Sequence, residues 1–385
     1  MLRSAHSRVM FRALAALVFV GLAAPAQQLT REGNAWVRTL RGSAPAASRL
    51  RVAAHGPVTL EAGAGKTLDY SLKVSVRARG EAEARRILAR YAVNVETRGG
   101  WTVLTLPGGP ADPSLSIRAP RLEAAEIVTT DGSISAAGID GPLSASTGAG
   151  ALAADRIRGL CRLTTGGGEI RVGRVEAGLQ CRTGGGHIVV LFSGGETVLE
   201  TDGGDITAAE AGGPVIARTG AGTVRLARAM GAVSAVTGGG EIVVDRAGGV
   251  VTARNMAGRV RVGAAAGVRC ESGNGGVRLD NVAGNIHVSI GFGSIVANLA
   301  AGKLAESLLA TRNGDIVVTV PSNLGVTIRA ENAMADTMQR IISEFPGVPV
   351  RMRGMRVVAE GAVNGGGPML QISDTGGTIF LKRQR

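Results

Sequence analysis

Three residues with catalytic chemistry recur at one position of a repeated phrase. They are Glu169 in Thr165-Gly-Gly-Gly-Glu-Ile170, His187 in Thr183-Gly-Gly-Gly-His-Ile188 and Asp205 in Thr201-Asp-Gly-Gly-Asp-Ile206. Phrases stacked at the ~4.8 Å spacing of paired strands would put Glu169 and Asp205 roughly 9.6 Å apart, with His187 between them. That separation is near the one an inverting glycosidase leaves between its two carboxyl groups. The same position holds Thr223, Glu241 and Arg259 in later phrases, which suits a turn that tolerates any polar group. Platforms for sugar rings are scarce, with two Trp and two Tyr. The main reading is a chain without catalytic residues; polysaccharide cleavage by Glu169, His187 and Asp205 is the alternative.

The other candidate chemistries are weaker. Gly-rich rolls that bind calcium place an acid in each turn. Here Ala151, His187, Thr223, Arg259 and Ser294 occupy that place in most turns, and a hard cation needs several oxygens at once. His6, His55, His187 and His287 are scattered, so no metal or cofactor site is expected. Cys161, Cys181 and Cys270 fall at inward positions and read as small buried hydrophobes. Cys161 and Cys181 belong to neighbouring units but different columns, and a disulfide between them is left open.

The element that positions these residues is the repeat itself. The last glycine of the phrase falls at Gly132, Gly150, Gly168, Gly186, Gly204, Gly222, Gly240 and Gly258, eighteen residues apart, and continues slightly slipped at Gly275, Gly293 and Gly314. A fixed period over so many copies signals a stacked repeat. A second glycine half a period on, as at Gly159, Gly195, Gly213 and Gly231, divides each unit into two short strands. Counted from the last glycine, apolar residues stand at +2, +4, +7, +11 and +13: Ile170, Val172, Val175, Leu179 and Cys181 in one unit, Ile242, Val244, Ala247, Val251 and Ala253 in another. Spacing of two is the strand period, and no unit carries a helical pattern. The expected fold is all-β: a parallel β-solenoid of about ten coils, on the order of 50 Å long at one strand spacing per coil. Thr165, Thr183, Thr201, Thr219 and Thr237 should form one ladder beside the turn.

Residues 1–26 read as a signal peptide: Arg3, Arg8 and Arg12, an apolar run from Ala13 to Ala24, then the small residues Ala24 and Ala26 around Pro25. No later stretch is long and apolar enough for a transmembrane helix. Residues 27–129 lack the repeat and read as a β-rich domain or cap with strands at 70–76, 101–103 and 115–117 and one helix at 81–91. Residues 130–320 form the solenoid. Residues 321–385 hold further strands, an irregular insertion with a short helix near 334–343, and a closing coil in which Lys382 and Arg383 shield the last edge.

Composition adds one constraint on partners. The chain carries a formal charge of +13, three of it in the signal segment. Its arginines are spread among acids with few aromatics to stack bases, which argues against nucleic acid and for general affinity to anionic surfaces. An outward column of Arg182, Glu200, Arg218, Val236 and Arg254 should alternate in sign.

The Thr-Gly-Gly-Gly-Glu-Ile repeats, the opening Arg31-Glu-Gly-Asn-Ala-Trp-Val37, Gly365-Gly-Gly-Pro368 near the end and the signal segment together resemble the bacterial putative-adhesin family of Gly-rich β-strand-repeat proteins. The resemblance implies a parallel β-solenoid and a role at the cell envelope, with no catalytic residues carried over. The expected protein is exported to the periplasm, cell surface or medium. It would act as a non-catalytic binding or structural rod whose partner is an envelope component, an anionic glycan or another protein.

Overall fold

In the computed structural model, residues 29–334 and 337–384 are described. The segment at 1–26, expected to be a signal peptide, lies outside them. The chain is an all-β solenoid of two facing sheets, with one core shared from end to end. Each repeat gives one strand to each sheet. Ile170–Val175 lies in the first sheet and Leu179–Thr183 in the second, joined by the half-period turn. Pairing is parallel and in register eighteen residues on, as Ile170 with Ile188 and Leu179 with Thr197. The aliphatic positions therefore line up along the axis: Ile170, Ile188, Ile206 and Ile242 are all fully buried.

Each sheet has eighteen strands in one open line. In the first, Thr30–Glu32, Ala35–Pro45 and Thr67–Val76 form an antiparallel edge and the other fifteen strands are parallel. In the second, Asn94–Arg98 at one end, and Arg356–Val363 and Val350–Arg353 at the other, are the antiparallel members. Fifteen parallel rungs make a rod on the order of 70 Å. It is longer than the repeat alone gives, because strands outside the eighteen-residue period extend both ladders.

The ends are built out of sequence order. Arg49–Ala54 sits between Trp101–Thr105 and Ala124–Thr129 in the second sheet, and Val58–Ala62 sits between Asp112–Ala119 and Ile134–Ile139 in the first. The other end mirrors this. Met369–Asp374 lies between Ser307–Asn313 and Val326–Asn332, and Ile379–Arg383 lies between Ile316–Val320 and Ile341–Ser343. Lys382 and Arg383 thus do not shield a last edge, since their strand is paired on both sides. The outer strands are instead Ile341–Ser343 and Val350–Arg353, both short. The helix is Glu81–Leu88, burying Ala84 and Leu88. The insertion holds one 3-10 turn, Met338–Arg340, shorter than the helix expected there.

The phrase has a specific hydrogen-bonding logic. Each threonine is buried at the corner, and its Oγ1 donates to the last glycine carbonyl of the preceding coil: Thr165 to Gly150, Thr183 to Gly168, Thr201 to Gly186, Thr219 to Gly204, at 2.8–2.9 Å. The same oxygen accepts from its own phrase's last glycine, as Gly168 N–H to Thr165 at 3.2 Å. One hydroxyl so satisfies two backbone groups that the turn would otherwise bury unpaired. The last glycine is dictated by crowding: a Cβ on Gly168 would sit 2.1 Å from the Gly150 carbonyl oxygen, whereas one on Gly167 would meet nothing. The corner column continues through Asn255, Ser272, Ile290 and Thr311 to Asp374 and Asn332.

Candidate functional site

The structure places the three candidate catalytic residues on one corner column, Glu169 half-buried and the other two exposed, and commits His187 and Asp205 to the turn. Asp205 N–H donates to His187 Nδ1 at 3.0 Å, so that nitrogen is unprotonated there. Thr223 N–H donates to Asp205 Oδ1 at 2.7 Å. Thr378 N–H and Asp315 Oδ1 repeat this arrangement at 2.9 Å near the far end. The +1 side chains of His187, Asp205 and Asp315 thus each accept a hydrogen bond from the next rung's backbone. His187 and Asp205 are brought together, with Nδ1 3.7 Å from Oδ2, but Glu169 turns to Arg171 at 2.8 Å. All three lie outside the two grooves described on the rod.

The cysteines are free and buried, Cys161 and Cys181 included. Burial pushes the Cys161 and Cys270 thiols up to about 12 and also pushes Cys181 well above its ordinary value, so they are poor nucleophiles. Among the described residues no group of three His, Cys, Asp or Glu is placed to hold a metal ion.

The charged columns are more informative. On the second sheet the expected alternating column forms: Glu200 takes Arg218 at 2.9 Å and Arg182 at 3.9 Å, and Arg254 meets Glu271 at 3.1 Å. The first sheet is different. On the rungs Val224–Ala229, Ile242–Ala247, Val260–Val262 and Val277–Gly284 its outward side chains include Arg225, Arg228, Arg246, Arg261 and Arg278, all exposed. The ladder sets Arg228 opposite Arg246 and Arg261 opposite Arg278. Neighbours on one column are about 4.8 Å apart at the backbone, so like charges there repel.

One acid relieves one pair. Asp280 meets Arg278 at 3.0 Å and Arg261 at 3.8 Å. Burial pushes its carboxyl up, but hydrogen bonds from Arg278 and Asn298 and the two guanidinium charges outweigh it and hold the pKa below its ordinary value. Glu210 stands opposite Arg228 in the ladder without an ion pair. Arg225, Arg228 and Arg246 have no ion-pair partner among the described residues. These arginines occupy +3 and +6 after the repeat glycine. Reading only the +1 and outermost columns misses them; tabulating +3 and +6 would have found them.

Around the corner a groove of about 480 Å³ is lined by Arg254, Glu271, Arg312 and Met256 among others. It marks the place where the corner column loses its threonines, at Asn255, Ser272 and Ile290. The last glycines there, Gly258, Gly275 and Gly293, take positive φ. The basic face and this groove occupy the same stretch of the rod.

No family model matches the chain, and no curated protein matches it. Solved structures similar to it include a putative cell adhesion protein from Clostridium sporogenes, 10% identical, covering 90% of this chain and 100% of that chain, with a TM-score of 0.20. A putative adhesin from Parabacteroides merdae is 11% identical over 76% of this chain and 97% of its own, with a TM-score of 0.24. A putative lipid binding protein from Parabacteroides distasonis is 12% identical over 92% and 98%, with a TM-score of 0.22. Likeness at that level says nothing about what this chain binds. No helix among the described residues is long and apolar enough to cross a membrane.

Proposed function

We propose that the chain is an exported, non-catalytic binding rod of the cell envelope, and that the first sheet takes an anionic polymer such as an acidic glycan. The observation that carries this reading is the row Arg225, Arg228 and Arg246, exposed on a flat ladder without ion-pair partners among the described residues. A ladder fixes the backbone, so the guanidinium groups are spaced before the ligand arrives and little order is lost on binding. Arginine suits the role because its planar fork meets a carboxylate or phosphate with two donors. A repeating acid on the polymer meets a repeating cation on the protein, and each contact adds avidity to the last.

Polygalacturonate is a suitable probe. The mature chain should bind it, and binding should weaken steeply between 50 and 200 mM salt, as screened charge–charge contacts do. Replacing Arg225, Arg228 and Arg246 with alanine should remove most of the affinity. Alanine at Glu169, His187 and Asp205 should leave affinity unchanged. Shortening of the polymer by the wild-type chain, lost in that second variant, would install the cleavage alternative instead.

A further inference from the structure

The exposed apolar residues of the rod are mostly scattered singly, with one exception. At the carboxy-terminal end Met338, Ile342, Met352 and Met355 are 54%, 48%, 46% and 80% exposed. The hairpin of Val350–Arg353 and Arg356–Val363 turns at Gly354, whose φ is +64°, and every residue from Arg351 to Arg356 is exposed. The 3-10 turn carrying Met338 packs against Val350–Arg353, and Ile341–Ser343 adjoins the same strand, so these side chains share one end of the rod. Val350–Arg353 is also the terminal strand of its sheet.

The hairpin's charges without an ion-pair partner are basic. Arg356 is held by Glu331 at 2.8 Å, but Arg351 and Arg353, alternating with Met352, have no ion-pair partner among the described residues. Met352 and the two bare cations lie on opposite faces of the strand, so the hairpin suits an anionic bilayer surface entered tip first: the apolar groups enter the acyl boundary and the cations stay with the headgroups. Methionine fits disordered chains because it is unbranched and flexible.

We propose that this hairpin is a docking tip for an anionic lipid surface, with Met352 and Met355 entering the headgroup boundary while Arg351 and Arg353 meet lipid phosphates. The tip is separate from the arginine sheet and does not depend on polymer binding there. The test is co-sedimentation of the mature chain with vesicles of mixed phosphatidylglycerol and phosphatidylcholine, against phosphatidylcholine alone. Wild type should bind the anionic vesicles selectively. M352S/M355S and R351Q/R353Q should each weaken that binding about tenfold, from the burial and charge each pair supplies. M355L should bind as wild type does, and M355W should emit at shorter wavelength when anionic vesicles are added. All these positions are exposed, so melting temperatures should not move. Absence of wild-type binding, hairpin variants that bind normally, or loss only in the Arg225, Arg228 and Arg246 variant would each overturn the proposal.

Discussion

Thr201→Val tests the corner ladder with little change of shape. Valine keeps the branched volume of a residue that is 4% exposed, but removes the hydroxyl. Two bonds are lost, the 2.9 Å donation to the Gly186 carbonyl and the 3.2 Å acceptance from Gly204 N–H. Both backbone partners stay buried and unpaired. A neutral hydrogen bond contributes about 1 kcal/mol net, and an orphaned buried group costs about 1–3 kcal/mol. Part of this relaxes, so the expected loss is about 2–4 kcal/mol. Thr164→Val is the control, because Thr164 points outward on the same sheet and should cost less than about 0.5 kcal/mol. Urea unfolding of the purified protein measures both. Hydrogen exchange at Gly204 N–H adds a local readout, since coils couple mainly to their neighbours. A loss below about 0.5 kcal/mol for Thr201→Val, with Gly204 protection unchanged, would refute the reasoning.

The remaining predictions concern glycines and charge. Gly168→Ala should destabilise by about 1–3 kcal/mol or block folding, because its Cβ would strike the Gly150 carbonyl, while Gly167→Ala should be nearly neutral; urea midpoints separate them. Two carboxylates should titrate with opposite sign. Asp374, pushed up by burial against backbone N–H donors from Thr375, Gly377 and Gly376, supplies stability below its ordinary 3.8 that is lost as pH rises through its higher folded value. Asp280, held low, supplies stability above 3.8 that is lost as pH falls through its lower folded value. Unfolding measured from pH 7 to 3 should therefore show wild type gaining on D374N and losing to D280N as the pH drops. Parallel curves for both variants would contradict these shifts.

The solenoid was legible because its physics is periodic. A glycine where the previous backbone leaves no room for Cβ and aliphatics two apart recur from coil to coil, and a threonine bonding two turn groups recurs from Thr147 to Thr237, so the sequence repeats what the structure repeats. The strands at 70–76, 101–103 and 115–117 and the helix were legible from local alternation and charge placement. The threaded ends were not. Nothing in Val52 says that it pairs with Leu104 on one side and Ile127 on the other, because that contact is nonlocal and has no period. Asp374-Thr-Gly-Gly377 hides a corner residue by substituting Asp for Thr, although its carboxylate accepts from Gly377 N–H at 2.6 Å much as the threonines accept. Glu169, His187 and Asp205 looked catalytic because composition does not show that their partners are backbone groups of the next rung and a neighbouring arginine. The arginine face needed every outward column to be tabulated, since Arg225, Arg261 and Arg278 share their column with Thr207, Val243 and Val296 and the other two stand on a second column.

The central functional claim is that binding belongs to one face, not to the chain's basic charge as a whole. The direct measurement compares two triple variants of equal net charge, R225E/R228E/R246E on the first sheet and R162E/R182E/R218E on the second, titrated with polygalacturonate at fixed salt. The first should lose nearly all affinity and the second should keep most of it. Equal loss in both would mean that net charge alone attracts the polymer and that no site exists on the first sheet.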